Sequence, residues 1–219
     1  MDGITSWITY VSGRPDEILA TTWDHARIVL VVVLGATLFS VVLGVVVHRH
    51  PTARALALAI SGIFLTIPSL ALFAIFIPLV GIGNTPAMLA LFLYAILPIL
   101  RNTVTGLDSV PAAVVESARG MGMGPVRQLL RIRLPLAWPV VMAGVRVSSL
   151  ITVGIAAIAV LVGGDGLGEY IQGGLTRLGL PNSLESVWTG TVFTVLLGLL
   201  LDLTFAGVQR ATTSKGLRA

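Results

Sequence analysis

Forty-six consecutive residues, Ala55 to Leu100, carry no charged side chain. One helix that crosses about 30 Å of hydrocarbon needs about 20 apolar residues, so this stretch is too long for one crossing and long enough for two. The segment Gly81-Ile82-Gly83-Asn84-Thr85-Pro86 has turn chemistry and divides it. That leaves spans at 55–80 and 86–106. Three further stretches of suitable length are Ile28–Val47 with no charge, Leu134–Val162 with only Arg146, and Val187–Val208 with only Asp202. The expectation is an all-α membrane protein of five transmembrane helices. Composition agrees: 55% of the 219 residues are hydrophobic and 11% charged, against roughly 25% charged in soluble domains. A length of 219 residues fits one domain.

Pro68 falls inside the second predicted span and Pro78 near its end. A proline removes a backbone hydrogen bond and bends a helix. Such a bend suits a helix beside a pathway, and equally a packing kink.

The formal charge of +4 is explained by where the basic residues fall. With the N-terminus outside, the inner segments 48–54, 107–133 and 209–219 hold Arg49, Arg54, Arg119, Arg127, Arg131, Arg133, Arg210, Lys215 and Arg218. The outer segments hold Arg14, Arg27 and Arg177 with Asp2, Asp16, Glu17, Asp24, Asp165, Glu169 and Glu185. The positive-inside rule therefore predicts an outer N-terminus and a cytoplasmic C-terminus. No basic run is interleaved with aromatics, so nucleic acid is not an expected partner. No cleavable leader is expected before the first span. Instead Ile4, Trp7, Ile8 and Val11 share one face of a short helix, read as lying in the outer membrane interface among lipid headgroups.

Several chemistries are missing. There is no cysteine, and the single lysine, Lys215, stands in no phosphate-binding loop. His25, His48 and His50 sit at span ends, and no carboxylate stands at a spacing that would make a metal site or a nucleophilic triad. No catalytic residue, no metal and no cofactor on this chain are expected. Arg146 and Asp202 are the lone charges of the fourth and fifth spans, and such groups usually face the bundle interior, paired or near water. Counted at about 1.5 Å per residue, they lie within roughly 6 Å in depth, which permits a pair. A fourth helix starting in the cytoplasm would instead leave Arg146 near the inner interface.

The longest inner loop reads Glu116-Ser117-Ala118, three residues including Arg119 and Gly120, then Gly122, nine residues, and Ile132-Arg133-Leu134-Pro135. This resembles the EAA loop of binding-protein-dependent ABC-importer permeases, with Ser117 where alanine is usual. A short helix from Ala112 after Pro111, small side chains at Ser117 and Ala118, and a positive-φ turn at Gly122 where a side chain would obstruct suit a docking element. Glu116 read on its own is a solvated acid near a helix N-terminus. The resemblance makes Glu116, Ser117, Ala118, Arg119, Gly120, Gly122, Ile132, Leu134 and Pro135 the contact to an ATPase subunit, through the loop at 111–135.

Thr66-Ile-Pro-Ser-Leu-Ala-Leu72, Leu97-Pro98-Ile-Leu-Arg-Asn-Thr103, Ala143-Gly-Val-Arg146 and Gly166-Leu-Gly168 with Glu169 are similar to the osmoprotectant branch, which takes up glycine betaine, carnitine or choline. Asp165, between Gly164 and Gly166, departs from the small residue expected there. The resemblance implies a type I importer fold in the cytoplasmic membrane of a bacterium. It also implies an ATPase dimer holding ATP-Mg, a second permease subunit that is more often unlike than identical, and an extracytoplasmic solute-binding protein with an aromatic cage for the quaternary ammonium.

The expected organisation is an outer interfacial segment 1–22, a transmembrane region 23–209 and a cytoplasmic tail 210–219. The transmembrane region contains the coupling loop 108–133 and an outer Gly-rich loop 163–186. Pro68, Gly164, Asp165, Gly166 and Glu169 are candidates for pathway or binding-protein contact, against the reading of a flexible loop with scattered acids. The alternatives are a permease for amino acids such as methionine, a stand-alone secondary transporter, and a membrane protein without transport. Five spans without inverted repeats and the spacing of the inner loop disfavour the latter two.

Overall fold

The computed structural model describes residues 2–213. Lys215 and Arg218, with the rest of the predicted tail beyond residue 213, lie outside the described residues. Ten α-helices run in order among the described residues: α1 Asp2–Ser12, α2 Pro15–Val47, α3 Pro51–Thr66, α4 Ser69–Val80, α5 Asn84–Asp108, α6 Ala112–Gly120, α7 Pro125–Gln128, α8 Leu134–Ala156, α9 Gly168–Thr176 and α10 Ser183–Thr212. A π-helical turn, Leu129–Arg133, joins α7 to α8, and a 3₁₀ turn, Ala159–Val162, follows α8.

Among the described residues, α2, α5, α10 and the helical run Pro125–Ala156 that ends in α8 are each long and apolar enough to cross a membrane, and the bent pair α3 and α4 brings the number to five when counted as one span. Proline opens α2 and α3 at their first turns, where its missing N–H leaves nothing unsatisfied. Asp16 and Glu17 in the first turn of α2 complement the helix dipole.

The second span is not the single kinked helix expected for 55–80. It is broken at Ile67-Pro68 into α3 and α4, which meet at a bend of 99°. Ile67 is forced extended, with ψ of 131°, by the proline that follows it. Pro68, at ψ of 135°, becomes the residue flanking α4. The Tyr94 hydroxyl of α5 donates to the freed Ile67 carbonyl at 2.6 Å, which closes the break within the bundle. The fourth predicted span, 134–162, also differs: its helix ends at Ala156 and gives way to the 3₁₀ turn.

The core sits between α2, α5 and α8. Along α8 the buried residues Ala137, Val141, Gly144, Ser148 and Thr152 form a seam of small side chains toward α5. A Cβ added at Gly144 would lie 2.7 Å from the Pro98 carbonyl oxygen, so α5 and α8 meet backbone to backbone there. The Ser148 hydroxyl donates across the seam to the Ala95 carbonyl at 3.1 Å. Lipid offers no hydrophobic drive between helices, so close approach and polar bonds of this kind hold membrane bundles together. Outward faces are apolar, as Leu34, Leu38, Val42 and Val46 of α2 and Leu196, Leu199, Leu200 and Leu203 of α10 show.

The two ends of the bundle differ in charge. At one, Arg54 of α3 pairs with Asp108 of α5, Arg133 lies within electrostatic reach of Arg49 and Arg119, and Trp138 of α8 donates to Thr212 of α10 at 2.7 Å. At the other, Asp24, Arg27, Asn84 and Asp165 line one groove, and Glu17, Glu169 and Arg177 another. These are called the basic and the acidic end. At the acidic end α1 packs on α10: Trp7 donates to Thr189 at 3.0 Å and Ser6 to Glu185 at 2.8 Å. The Trp7 indole thus finds its acceptor on α10. Helix α2 runs unbroken from Pro15 past residue 22 into the membrane region.

Candidate functional site

At the basic end the loop between α5 and α8 is built from local instructions. Pro111, at ψ of 132°, starts α6. Gly122 ends it with φ of 78°. The Met123 N–H bonds the Ala118 carbonyl at 3.1 Å and the Gly122 N–H bonds the Arg119 carbonyl at 2.9 Å. Those two bonds with a left-handed glycine make a Schellman cap. A Cβ at Gly122 would meet nothing within 4 Å, so glycine is needed there for its φ and not for space within this chain. The buried Gln128 side chain donates to the Met123 carbonyl at 2.6 Å and ties the capped turn to α7. Nothing in the sequence pattern marks Gln128.

Val115 and Ala118 point into the loop and are buried, whereas Glu116, Ser117, Arg119 and Gly120 are exposed. Of the two small residues, only Ser117 is turned outward. Its neighbours include bare apolar side chains: Met121 is 71% exposed, Val126 69% and Leu130 58%. Ile132 lies in the π turn, and Leu134 and Pro135 open α8. Proline at 135 cannot donate to a carbonyl one turn back, and the wider π turn accommodates that loss.

At the acidic end the glycine-rich loop is packed tightly against its own chain. His25 of α2 is buried, with both ring nitrogens engaged. Its Nδ1 accepts the Leu167 N–H at 3.2 Å and its Nε2 lies 3.1 Å from the Val153 carbonyl. A backbone N–H can only donate, so Nδ1 is unprotonated and Nε2 carries the hydrogen given to Val153. One imidazole thereby joins α2, α8 and the loop. Gly166 lies against this ring, and a Cβ at Gly168 would fall 1.9 Å from the Ala157 carbonyl oxygen.

Asp165 accepts from Asn84 Nδ2 at 2.6 Å, and its own N–H donates to Asn84 Oδ1 at 2.8 Å. The residue that departs from the branch pattern therefore has a partner in the first residue of α5. Glu169 accepts the Gly166 N–H at 3.0 Å. Gly164 sits against Asn84 and Ala159. Pro68 lies away from this loop, at the α3–α4 break.

Between the ends, Arg146 of α8 and Asp202 of α10 form a two-pronged ion pair, Nε to Oδ1 and NH2 to Oδ2, each at 2.8 Å. Their side chains are 36% and 21% exposed. This geometry supplies the strongest form of charge-assisted bond and neutralises both charges within apolar surroundings. A separation within roughly 6 Å in depth was readable from residue counting, whereas the facing direction of each helix was not.

The chain matches the family described as binding-protein-dependent transport system inner membrane component over residues 36–214. It is 40% identical over 211 residues to the choline transport system permease protein OpuBB of Bacillus subtilis, covering 96% of this chain and 95% of that protein. It is 39% identical to the glycine betaine/carnitine/choline transport system permease protein OpuCB of the same organism, at the same coverage. The osmoprotectant import permease protein OsmW of Salmonella typhimurium is 35% identical, over 96% of this chain and 99% of that one. Among solved structures, a chain of the MetNI methionine ABC transporter superposes with a TM-score of 0.75 at 24% identity, over 90% of this chain and 96% of that chain. At that identity the likeness speaks for the fold alone.

Proposed function

The chain belongs to the family of binding-protein-dependent transport system inner membrane components, and from that premise we propose how it works. It is the multi-pass permease subunit of an ABC importer in the cytoplasmic membrane, and ATP hydrolysis belongs to a partner ATPase. Its cargo is a quaternary-ammonium compatible solute such as glycine betaine, carnitine or choline. The observation that carries this reading is near-full-length similarity to permeases named for those solutes. The amino-acid alternative rests on fold likeness alone.

The basic end faces the cytoplasm, a reading supported by the gathering of Arg49, Arg54, Arg119 and Arg133 there. The loop 111–135 docks on the ATPase. Its exposed Glu116, Ser117 and Arg119 and the bare Met121, Val126 and Leu130 favour a protein partner, because apolar groups outside the bilayer otherwise stand in water. ATP-Mg binds the ATPase, whose closure pulls on α8 through the continuous helical path from Pro125. A second, unlike permease subunit completes the pathway. A solute-binding protein docks at the acidic end, near Gly164, Asp165, Gly166 and Glu169.

Radiolabelled glycine betaine uptake into proteoliposomes holding the full complex tests the reading. Uptake that needs both ATP and the loaded binding protein is expected. Uptake that persists without ATP overturns the importer mechanism, and ATP turnover stimulated only by a binding protein loaded with an amino acid overturns the cargo.

A further inference from the structure

A second feature of the acidic end lies apart from the Asn84–Asp165 contact. A polar cleft of about 290 Å³ opens between α1, the first turns of α2, and α9, near the small end of the range for ligand sites. Five of its lining side chains bear on a ligand: Tyr10, Arg14, Glu17, Glu169 and Arg177. Two guanidinium groups and two carboxylates leave it neutral overall, with opposite charges side by side. Such a lining suits a small zwitterion better than a bare cation.

Arg14 and Glu17 are not used up on each other. Glu17 is 64% exposed and only 4.0 Å from Arg14 Nε, a loose contact. Arg14 stands over the ring of Tyr10, 4.3 Å from its centroid, where a ligand cation would sit. Tyr170 is 7% exposed, and its hydroxyl is buried in the wall of the cleft beside Glu17 and Thr21. Burial and the nearby Glu17 carboxylate push the pKa of that hydroxyl up to about 12, so it stays protonated and adds no charge to the cleft.

We propose that this cleft is a weak transit site for a zwitterionic quaternary-ammonium solute, whose ammonium takes the place of the Arg14 guanidinium over Tyr10 beside Glu17 and whose carboxylate accepts from Arg177. The inference rests on the cargo reading above. Arg14 is then a tethered stand-in that the solute displaces, so removing it strengthens binding. A purely structural role for these side chains gives no such sign.

The test is equilibrium binding of radiolabelled glycine betaine to the full permease–ATPase complex in nanodiscs, without the solute-binding protein. The native complex is expected to bind in the millimolar range. Arg14→Gln should tighten binding severalfold, Glu17→Gln and Arg177→Gln should weaken it at least threefold, and choline, lacking the carboxylate, should bind more weakly than glycine betaine. No binding by the native complex at tens of millimolar, or equal binding by all variants, overturns the site. Choline binding as tightly as glycine betaine overturns the role given to the carboxylate. ATP-driven uptake by the same native complex, measured with binding protein present, keeps the two readings apart. Uptake without variant-dependent binding removes only the cleft, whereas absence of uptake removes the cargo on which it rests.

Discussion

The two ends of this bundle use glycine in opposite ways. At the acidic end Gly168 and Gly174 are placed where a side chain would strike backbone, so the loop's shape is dictated by its own chain. At the basic end Gly120, Gly122 and Gly124 have open space around them. There the fold is set by proline starts, a capped turn and one buried glutamine, and the surface is left bare. An end shaped by internal packing reports on folding when it is altered. An end shaped locally and left uncovered should report on function with little change in stability.

Gly168→Ala is the severest test of the first half of that contrast. Its Cβ would overlap the Ala157 carbonyl, and overpacking against backbone that cannot yield should destabilise by about 3 kcal/mol or more. A thermal-unfolding midpoint of the assembled complex within a degree of the native one would break the contrast. His25→Ala comes next. It strands the Leu167 N–H and the Val153 carbonyl, at about 1–3 kcal/mol for each buried unsatisfied group. Hydrogen exchange at residue 167 should accelerate sharply, and unchanged protection would mean that the imidazole is not the joint it looks like.

Gly122→Asp probes the other end. A left-handed non-glycine residue costs about 1 kcal/mol, less for Asp than for most, so the midpoint should barely move while ATP-driven uptake falls at least tenfold. Equal losses in stability and uptake would erase the difference between the ends. The smallest effect belongs to Asp165→Ala, which removes one exposed side-chain contact with Asn84 worth about 1 kcal/mol or less. Uptake kinetics measured against binding-protein concentration should then shift only in half-saturation, and a loss of maximal rate would give Asp165 a larger role than this contact.

Sequence reading reached as far as periodicity, charge and short-range turn chemistry reach. Five apolar stretches, the helix at Ala112–Gly120 and the positive φ of Gly122 all follow from neighbours a few residues apart. The 99° break did not, because the same proline can kink a helix or end it, and the choice depends on whether something else, here the Tyr94 hydroxyl, satisfies the Ile67 carbonyl. His25 was passed over as one more histidine at a span end, since its partners are 128 and 142 residues away in the chain. Tyr170 and Glu17 meet for the same long-range reason. Arg146 and Asp202 fell between these cases.

The break between α3 and α4 also has a mechanical consequence. At 1.5 Å per residue their 16 and 12 residues make rods of about 24 and 18 Å. Joined at 99°, they reach end to end across about 28 Å, close to the thickness of the hydrocarbon layer. Halving the bend would stretch that reach to about 38 Å and drive apolar ends out into the headgroups. Set across a bilayer with its two ends at opposite faces, such an elbow would be resisted in straightening by the membrane itself, and less so by a thicker one.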